Sequence, residues 1–259
     1  MRVLSLFLVV SLLVVSNSGC NQSDEKKQVE NMPRTSSAGS RGNTRLAAKD
    51  SDGQEGGLVS VSLRDKATTL GKIAESNIAE NLKEIDAHSA GLTEADMAYF
   101  THFPNLEKLT LNVNLKITDE SLESLQGLSE LENLTLFFCP QLTGSGFEYL
   151  TGLDKLVNLN IGNNKNIIDE HLIHLQKLDN LQILLASSLH GITDDGVKHL
   201  ARISSLRRLR VSGNQITDVG LQQLASLTNL EVLTLARNQH SDDAIAKLQQ
   251  ALPGCKIQY

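Results

Sequence analysis

Leucines recur along most of the chain in a pattern that is clearest between Leu206 and Asn229. Leu206, Leu209 and Val211 have the spacing L-x-x-L-x-L, and the end of this motif alternates as a half-buried β-strand does. Further leucines follow from Leu221 at intervals of three, as on one face of a helix. The pattern predicts a strand followed by a helix. Neither can bury its apolar face alone, so we expect each unit to stack on copies of itself.

The strand and helix pattern begins nine times along the chain, at steps of 24 or 25 residues. It begins at Leu58, Leu82, Leu106, Leu131, Leu156, Leu181, Leu206, Leu230 and Gly254. The additional residue of the longer repeats falls in the turn after the strand, so the lengths of strand and helix are preserved. The first repeat lacks this turn signature, which is typical of an end unit that shields the core from water. We therefore predict a capping repeat at 58–81, seven repeats at 82–253 and an edge strand at 254–259.

A threonine followed by an aspartate recurs where a predicted strand passes into a helix, as at Thr193-Asp194 and Thr217-Asp218. A threonine at this place caps the helix, and an acid in the first turn complements the helix dipole. The regular placement favours a structural role over calcium binding or acid catalysis. The asparagines at 114, 164, 214 and 238 are likewise expected to close backbone hydrogen bonds between neighbouring turns.

These motifs carry a resemblance to a known family. Residues 58–259 resemble leucine-rich repeat proteins, and phrases such as Ile192-Thr193-Asp194-Asp195-Gly196 are similar to the cysteine-containing subfamily known from F-box-associated receptors. The chain has asparagine where that subfamily often has cysteine, with Cys139 the single match, and it has no F-box. The resemblance implies an α/β solenoid in the shape of a horseshoe arc, with a concave parallel sheet, convex helices and a role in protein recognition.

The N-terminus has the features of an export signal. Arg2 precedes an apolar run at 3–15, which is too short for the roughly 20 residues of a membrane-spanning helix but fits the centre of a signal peptide. Ser18-Gly19-Cys20 resembles the lipobox of bacterial lipoproteins, although Asn17 replaces the usual aliphatic residue. The resemblance implies a signal peptide at 1–19 and lipidation of Cys20 at the cell envelope. An ordinary signal peptide, and hence a soluble periplasmic or secreted protein, is the alternative.

The stretch at 20–57 is rich in Ser, Gly, Asn, Gln and charged residues. Because it cannot bury enough apolar surface to become ordered, we predict a disordered tether.

Composition and motifs favour binding over catalysis. The net charge of −6 argues against a general nucleic-acid surface. The sequence has no nucleophile elbow, phosphate-binding loop or paired-cysteine metal motif, so we predict no catalytic, cofactor or metal site. His171, His174 and His199 could approach one another on the helical side, where solvated histidines are favoured over a surface metal site. Cys139 and Cys255 are five strands apart, about 24 Å, which is too far for a disulfide.

Residues that flank the inward positions of each strand decide what the sheet can bind. Along the repeats they change from acidic, at Glu84 and Asp86, through amides and apolar residues to basic. Phe137, Arg208 and Arg210 are not explained by the repeat pattern, and we predict that they contact a protein or peptide on the concave face. In the alternative interpretation, Phe138 packs into the core, and Arg207, Arg208 and Arg210 form a solvated patch.

The sequence therefore predicts a non-catalytic, exported protein-binding scaffold, displayed on a bacterial membrane through a lipid anchor. A regulatory or targeting subunit of an envelope enzyme is the alternative.

Overall fold

The computed structural model describes residues 60–63, 67–76 and 79–259. The predicted signal peptide, Cys20 and the predicted tether lie outside the described residues.

Nine short strands form one parallel sheet in the order in which they occur along the chain. They are Ser60–Ser62 (β1), Glu84–Asp86 (β2), Lys108–Thr110 (β3), Asn133–Thr135 (β4), Asn158–Asn160 (β5), Ile183–Leu185 (β6), Arg208–Arg210 (β7), Val232–Thr234 (β8) and Lys256–Gln258 (β9). Each strand pairs with its counterpart one repeat later, with equivalent residues side by side. The predicted α/β class and parallel sheet are confirmed.

The two faces of the sheet are those that the leucine spacing predicts. Leu159, Leu184 and Leu209 are register partners at the centres of adjacent strands, and all three are fully buried. They belong to one continuous core that also contains the buried leucines of the helical segments. Because successive side chains of a strand point to opposite sides, the flanking residues lie on the other side of the sheet, here called the open face.

Helical segments connect the strands. The α-helices are Ala67–Ala74 (α1), Glu94–Met97 (α2), Asp194–Leu200 (α3), Asp218–Leu224 (α4) and Asp242–Ala251 (α5). The 3-10 helices are Ala79–Asn81, Ala98–His102, Glu120–Leu125, Ser145–Leu150 and Asp169–Lys177. Segments of neighbouring repeats contact one another, so the helical side is stacked in the same order as the sheet.

The residue that begins a helix differs between four of the α-helices and three of the 3-10 helices. Thr93, Thr193, Thr217 and Ser241 each accept a hydrogen bond from a backbone amide of the first turn, and an α-helix follows each of them. The 3-10 helices beginning at 120, 145 and 169 have no side-chain cap. The expectation that the threonine of each Thr–Asp pair caps a helix is therefore wrong at Thr118-Asp119, which precedes the 3-10 helix beginning at 120. At the start of the helix beginning at 145, the backbone amides of Gly144 and Gly146 donate instead to the carboxylate of Asp119 in the preceding repeat.

Candidate functional site

The threonine and aspartate positions of the recurring turn join neighbouring repeats as well as starting helices. Asp169 accepts hydrogen bonds from both the backbone amide (2.9 Å) and the hydroxyl (2.6 Å) of Thr193 in the next repeat. Asp194 holds Thr217 in the same way, at 2.8 and 2.6 Å. We call this arrangement the Asp–Thr clasp. Its carboxylates are occupied by protein donors, which supports the structural role predicted from the sequence.

The clasp is altered where the sequence departs from the repeat. Gly144 stands at the aspartate position and Ile168 at the threonine position of the next repeat, so that acceptor and donor are missing together. His171 packs against Gly144, and its Nδ1 lies 2.9 Å from the backbone oxygen of Thr143. This histidine therefore joins two repeats.

The predicted asparagine contacts are confirmed. The side-chain amide of Asn164 donates to the backbone oxygens of Leu136 and Ile161, and its oxygen accepts from the amide of Cys139 at 2.6 Å. Asn114, Asn214 and Asn238 make equivalent bonds to the preceding repeat. These side chains supply the hydrogen bonds that the buried turn backbone requires.

Cys139 and Cys255 are both buried free cysteines, as the predicted separation requires. The thiol of Cys139 donates to the backbone oxygen of Leu111 at 3.3 Å, and burial raises its pKa to about 11. Because the thiolate is the reactive form of cysteine, Cys139 is placed for packing rather than for nucleophilic chemistry.

Arg208 and Arg210 differ from the other charged residues of the open face. They are the flanking residues of β7, and both are exposed. Within the part of the chain that the structure describes, no acidic side chain forms an ion pair with either of them. Arg207, which the sequence pattern groups with them, instead pairs with Glu231 at 2.8 Å. Two guanidinium groups are therefore left available on one strand.

Phe137 lies on the same face beyond the end of β4, and its side chain is 39% exposed. Its ring approaches Gly162 of the next repeat, where a Cβ atom would lie 3.3 Å from the ring carbon Cδ2. The backbone amide of Phe137 donates to Asn112 at 3.0 Å, which fixes the position of the ring's attachment. The absence of a side chain at Gly162 is what allows the ring to lie this close to the next repeat.

Phe138 is half-buried and is not part of the core that the alternative interpretation expects. Its backbone has a φ of 56°, in the left-handed region. Equivalent residues from Ser89 to Arg237 share this conformation in every intervening turn. The repeat geometry therefore requires this left-handed turn, whichever residue occupies it.

The structure places the two arginines beside aliphatic residues of the neighbouring strands. Arg208 is in register with Ile183 on one side and with Val232 on the other, and Arg210 is in register with Leu185. Phe137 is three strands from β7, about 14 Å away. Alignment of the repeats on their strands gives these same neighbours from the sequence, as the change from apolar to basic residues along the face predicts.

Other clusters in the described ranges have no evident chemistry. His199 lies 3.0 Å from the side-chain nitrogen of Gln176, and His171 lies 2.9 Å from the backbone oxygen of Thr143, so these two histidines are half-buried and have partners rather than being solvated as expected. In these ranges no group of three His, Cys, Asp or Glu side chains is placed to hold a metal ion. No helix between residues 60 and 259 that the structure describes is long and apolar enough to cross a membrane.

Comparisons with known proteins agree with this architecture. Residues 204–248 match the family described as "Leucine Rich repeats (2 copies)". No curated protein sequence matches the chain. Among solved structures, internalin C2 of Listeria monocytogenes is 24% identical, with a TM-score of 0.50 over 74% of this chain and 80% of the internalin. The chain therefore carries leucine-rich repeats and has the fold of a leucine-rich repeat solenoid.

Two further structures are more distant. An internalin F of Listeria monocytogenes is 15% identical, with a TM-score of 0.33 over 72% of this chain and 68% of that protein. A leucine-rich repeat protein of Leptospira interrogans is 18% identical, with a TM-score of 0.36 over 70% of this chain and 61% of that protein.

Proposed function

We propose that this chain is an exported, non-catalytic protein-binding scaffold that is displayed on a bacterial membrane through a lipid on Cys20. Scaffolds of leucine-rich repeats typically bind proteins and are generally not enzymes. The open face of the sheet, which the family resemblance implies to be concave, is the proposed binding surface. Export and anchoring rest on the sequence at 1–20 alone.

One observation supports the open face most directly. Phe137, Arg208 and Arg210 are exposed on it, although the repeats need none of them for stacking. Aromatic residues and arginine are enriched at the centres of protein interfaces, where they contribute most of the binding energy. The titratable groups of the Asp–Thr clasp are instead occupied within the array, so no reaction is proposed for them.

Capture of the partner tests the proposed surface. Phe137→Ala and Arg210→Ala variants would be expressed in the native host and cross-linked, and the recovered proteins compared with those of the wild type. Leu115→Ala is the matched control, because Leu115 is a large apolar residue that is 53% exposed in a turn outside the strands. We expect a partner that is lost in the first two variants and kept in the control. A partner retained by all variants would contradict the placement, and co-purification of an active enzyme would identify a regulatory subunit.

Anchoring is tested separately at Cys20. Several acyl chains hold a protein at a membrane stably, whereas one chain does so only marginally. We therefore expect the wild type in the membrane fraction and Cys20→Ser in the soluble fraction. A tether of the predicted length would hold the repeats at a root-mean-square distance of roughly 30–35 Å from the anchor. A wild-type protein already found in the soluble fraction would contradict lipidation and leave the binding proposal intact.

A further inference from the structure

Charged residues at equivalent positions of neighbouring repeats pair with one another. Lys108 lies 2.7 Å from Glu84, its register partner on β2, and Arg207 lies 2.8 Å from Glu231 in the next repeat. Lys83 pairs with Glu107, and Lys155 pairs with Glu130, each one repeat apart. Each of these cations is thus neutralised by an opposite charge at the equivalent position of an adjacent repeat.

Arg208 and Arg210 depart from this arrangement. Their register partners on β6 are Ile183 and Leu185, and those on β8 are Val232 and Thr234. These neighbours are aliphatic or uncharged, so they cannot neutralise a guanidinium group. A third cation, Lys256, occupies the same row as Arg208 two strands further on and is also exposed. The three cations form a charged group beside aliphatic side chains, here called the β6–β9 patch.

We infer that the β6–β9 patch binds an acidic, extended segment of a protein partner that also carries an aliphatic or aromatic side chain. This inference rests on the proposed function and specifies the chemistry of the partner. Alternate residues of a strand lie about 6.6 Å apart, so this is the spacing of Arg208 and Arg210 along β7. Acidic residues at i and i+2 of an extended partner have the same spacing. Guanidinium groups bind carboxylates through paired hydrogen bonds, so the match is one of geometry as well as charge.

The aliphatic neighbours decide among anionic partners. Ile183, Leu185 and Val232 are half-buried, so they form an apolar floor beside the arginines rather than protruding side chains. Such a floor suits the apolar side chain of a peptide. Nucleic acid is disfavoured, because it would have to bind beside this apolar floor and to a protein of net charge −6. A lipid bilayer is disfavoured because insertion requires protruding apolar groups.

Selection of random peptides tests the inference without a known partner. The full-length chain would be immobilised and used to select from a library of random 12-residue peptides, with the Arg208→Gln/Arg210→Gln variant treated in parallel. Arg207→Gln is the matched control, because it removes an arginine that is already paired with Glu231. Circular dichroism would establish that all three proteins remain folded. The selected peptides would then be synthesised and their affinities measured at low and at physiological salt.

We expect peptides enriched in Asp or Glu at alternate positions together with Leu, Ile or Phe. The double variant should bind them about 10–100-fold more weakly, and Arg207→Gln should bind them as the wild type does. Enriched peptides without acidic residues, or acidic peptides that bind the double variant equally well, would refute the inference and leave the proposed function standing. Failure to enrich any peptide would contradict both. Arginine-dependent binding to phosphatidylglycerol vesicles, or arginine-dependent self-association, would replace the peptide with a lipid surface or a second copy.

Discussion

A Cβ atom on Gly196 would overlap Oδ1 of Asp169, a residue of the preceding repeat. The same is true of Gly220 and Asp194, and a Cβ atom on Gly146 would lie 2.5 Å from the backbone oxygen of Asp119. The glycine that follows the Thr–Asp pair therefore makes room for the aspartate of the preceding repeat. Where Gly144 replaces the aspartate, His171 occupies the glycine position, so a side chain is present where the carboxylate is absent.

This relationship predicts that Gly196→Ala destabilises the protein. In most helices the same substitution stabilises by about 0.5–1 kcal/mol, because alanine has the higher helix propensity. Here the added methyl group displaces the carboxylate from Thr193, and we expect a loss of about 1–3 kcal/mol. The free energy of unfolding would be measured by denaturant titration.

A double-mutant cycle identifies the cause of that loss. Asp169→Ala removes the carboxylate and leaves the donors of Thr193 unpaired. If the clash with the carboxylate is responsible, Gly196→Ala should cost little in the Asp169→Ala background, because no carboxylate remains to displace. Additive effects of the two substitutions would show that Gly196 is required for another reason.

The stability of the array is expected to fall in acid, and Asp119 is one source. Burial alone would raise the pKa of Asp119, but hydrogen bonds donated by Gly146, Thr143 and Gly144 outweigh it and lower the pKa below the usual 3.8. Hydrogen bonds from Ser241 likewise lower the pKa of Asp218. A lowered pKa in the folded state contributes stability above the unfolded value, and this contribution is lost as the pH falls below 3.8 through the folded value.

Asp119→Asn tests this contribution. The carboxylate accepts from Thr143, Gly144 and Gly146, whereas an amide group offers one acceptor and brings two donors of its own. We expect a loss of about 2 kcal/mol at neutral pH and a weaker dependence of stability on pH below 3.8. Glu120→Gln, which changes an exposed neighbouring carboxylate, is the control. An unchanged pH dependence in Asp119→Asn would disprove the assignment.

Asn164→Ala should cost about 2–4 kcal/mol of unfolding free energy. The substitution leaves the backbone oxygens of Leu136 and Ile161 and the amide of Cys139 unpaired in the interior. Asn166→Ala is a close control, because Asn166 bonds the backbone oxygen of Pro140 at an exposed site. Calorimetry of both variants should separate them clearly, and equal losses would mean that burial of the hydrogen bonds is unimportant.

Leu184→Ala should cost about 2–5 kcal/mol, through lost burial and the cavity that remains. Leu184 is fully buried at the centre of β6, between Leu159 and Leu209. Thr135→Ala, on the open face, should cost less than about 1 kcal/mol. Equal destabilisation by the two substitutions would show that the assignment of the strand faces is wrong.

Cys139 should resist alkylation in the native protein. Its thiol is buried, and burial raises its pKa to about 11, so little thiolate is present at pH 8. Iodoacetamide labelling, followed by mass spectrometry of the peptide that contains Cys139, should show modification only as denaturant unfolds the repeats. Rapid labelling without denaturant would mean that the turn opens readily.

The sequence by itself determined the number of strands, their parallel order and the buried residue of each. Leu159, Leu184 and Leu209 recur at a constant interval, and stacking identical units is the only way for each to bury its apolar positions. The asparagine contacts followed for the same reason, because one side chain at a fixed place in every turn meets the same backbone groups. Whatever depends on the repeat alone could thus be predicted from periodicity.

Only the tertiary structure decided which donors meet which acceptors between repeats. Asp169 and Gly196 are distant in sequence, and nothing in either repeat alone shows that one makes room for the other. On the open face, alignment of the repeats already places Arg208 between Ile183 and Val232, but only the structure shows that Arg207 is paired with Glu231. Local sequence sets the strand and its faces, but the charge and the space around a side chain depend on neighbours that the fold brings within a few ångströms.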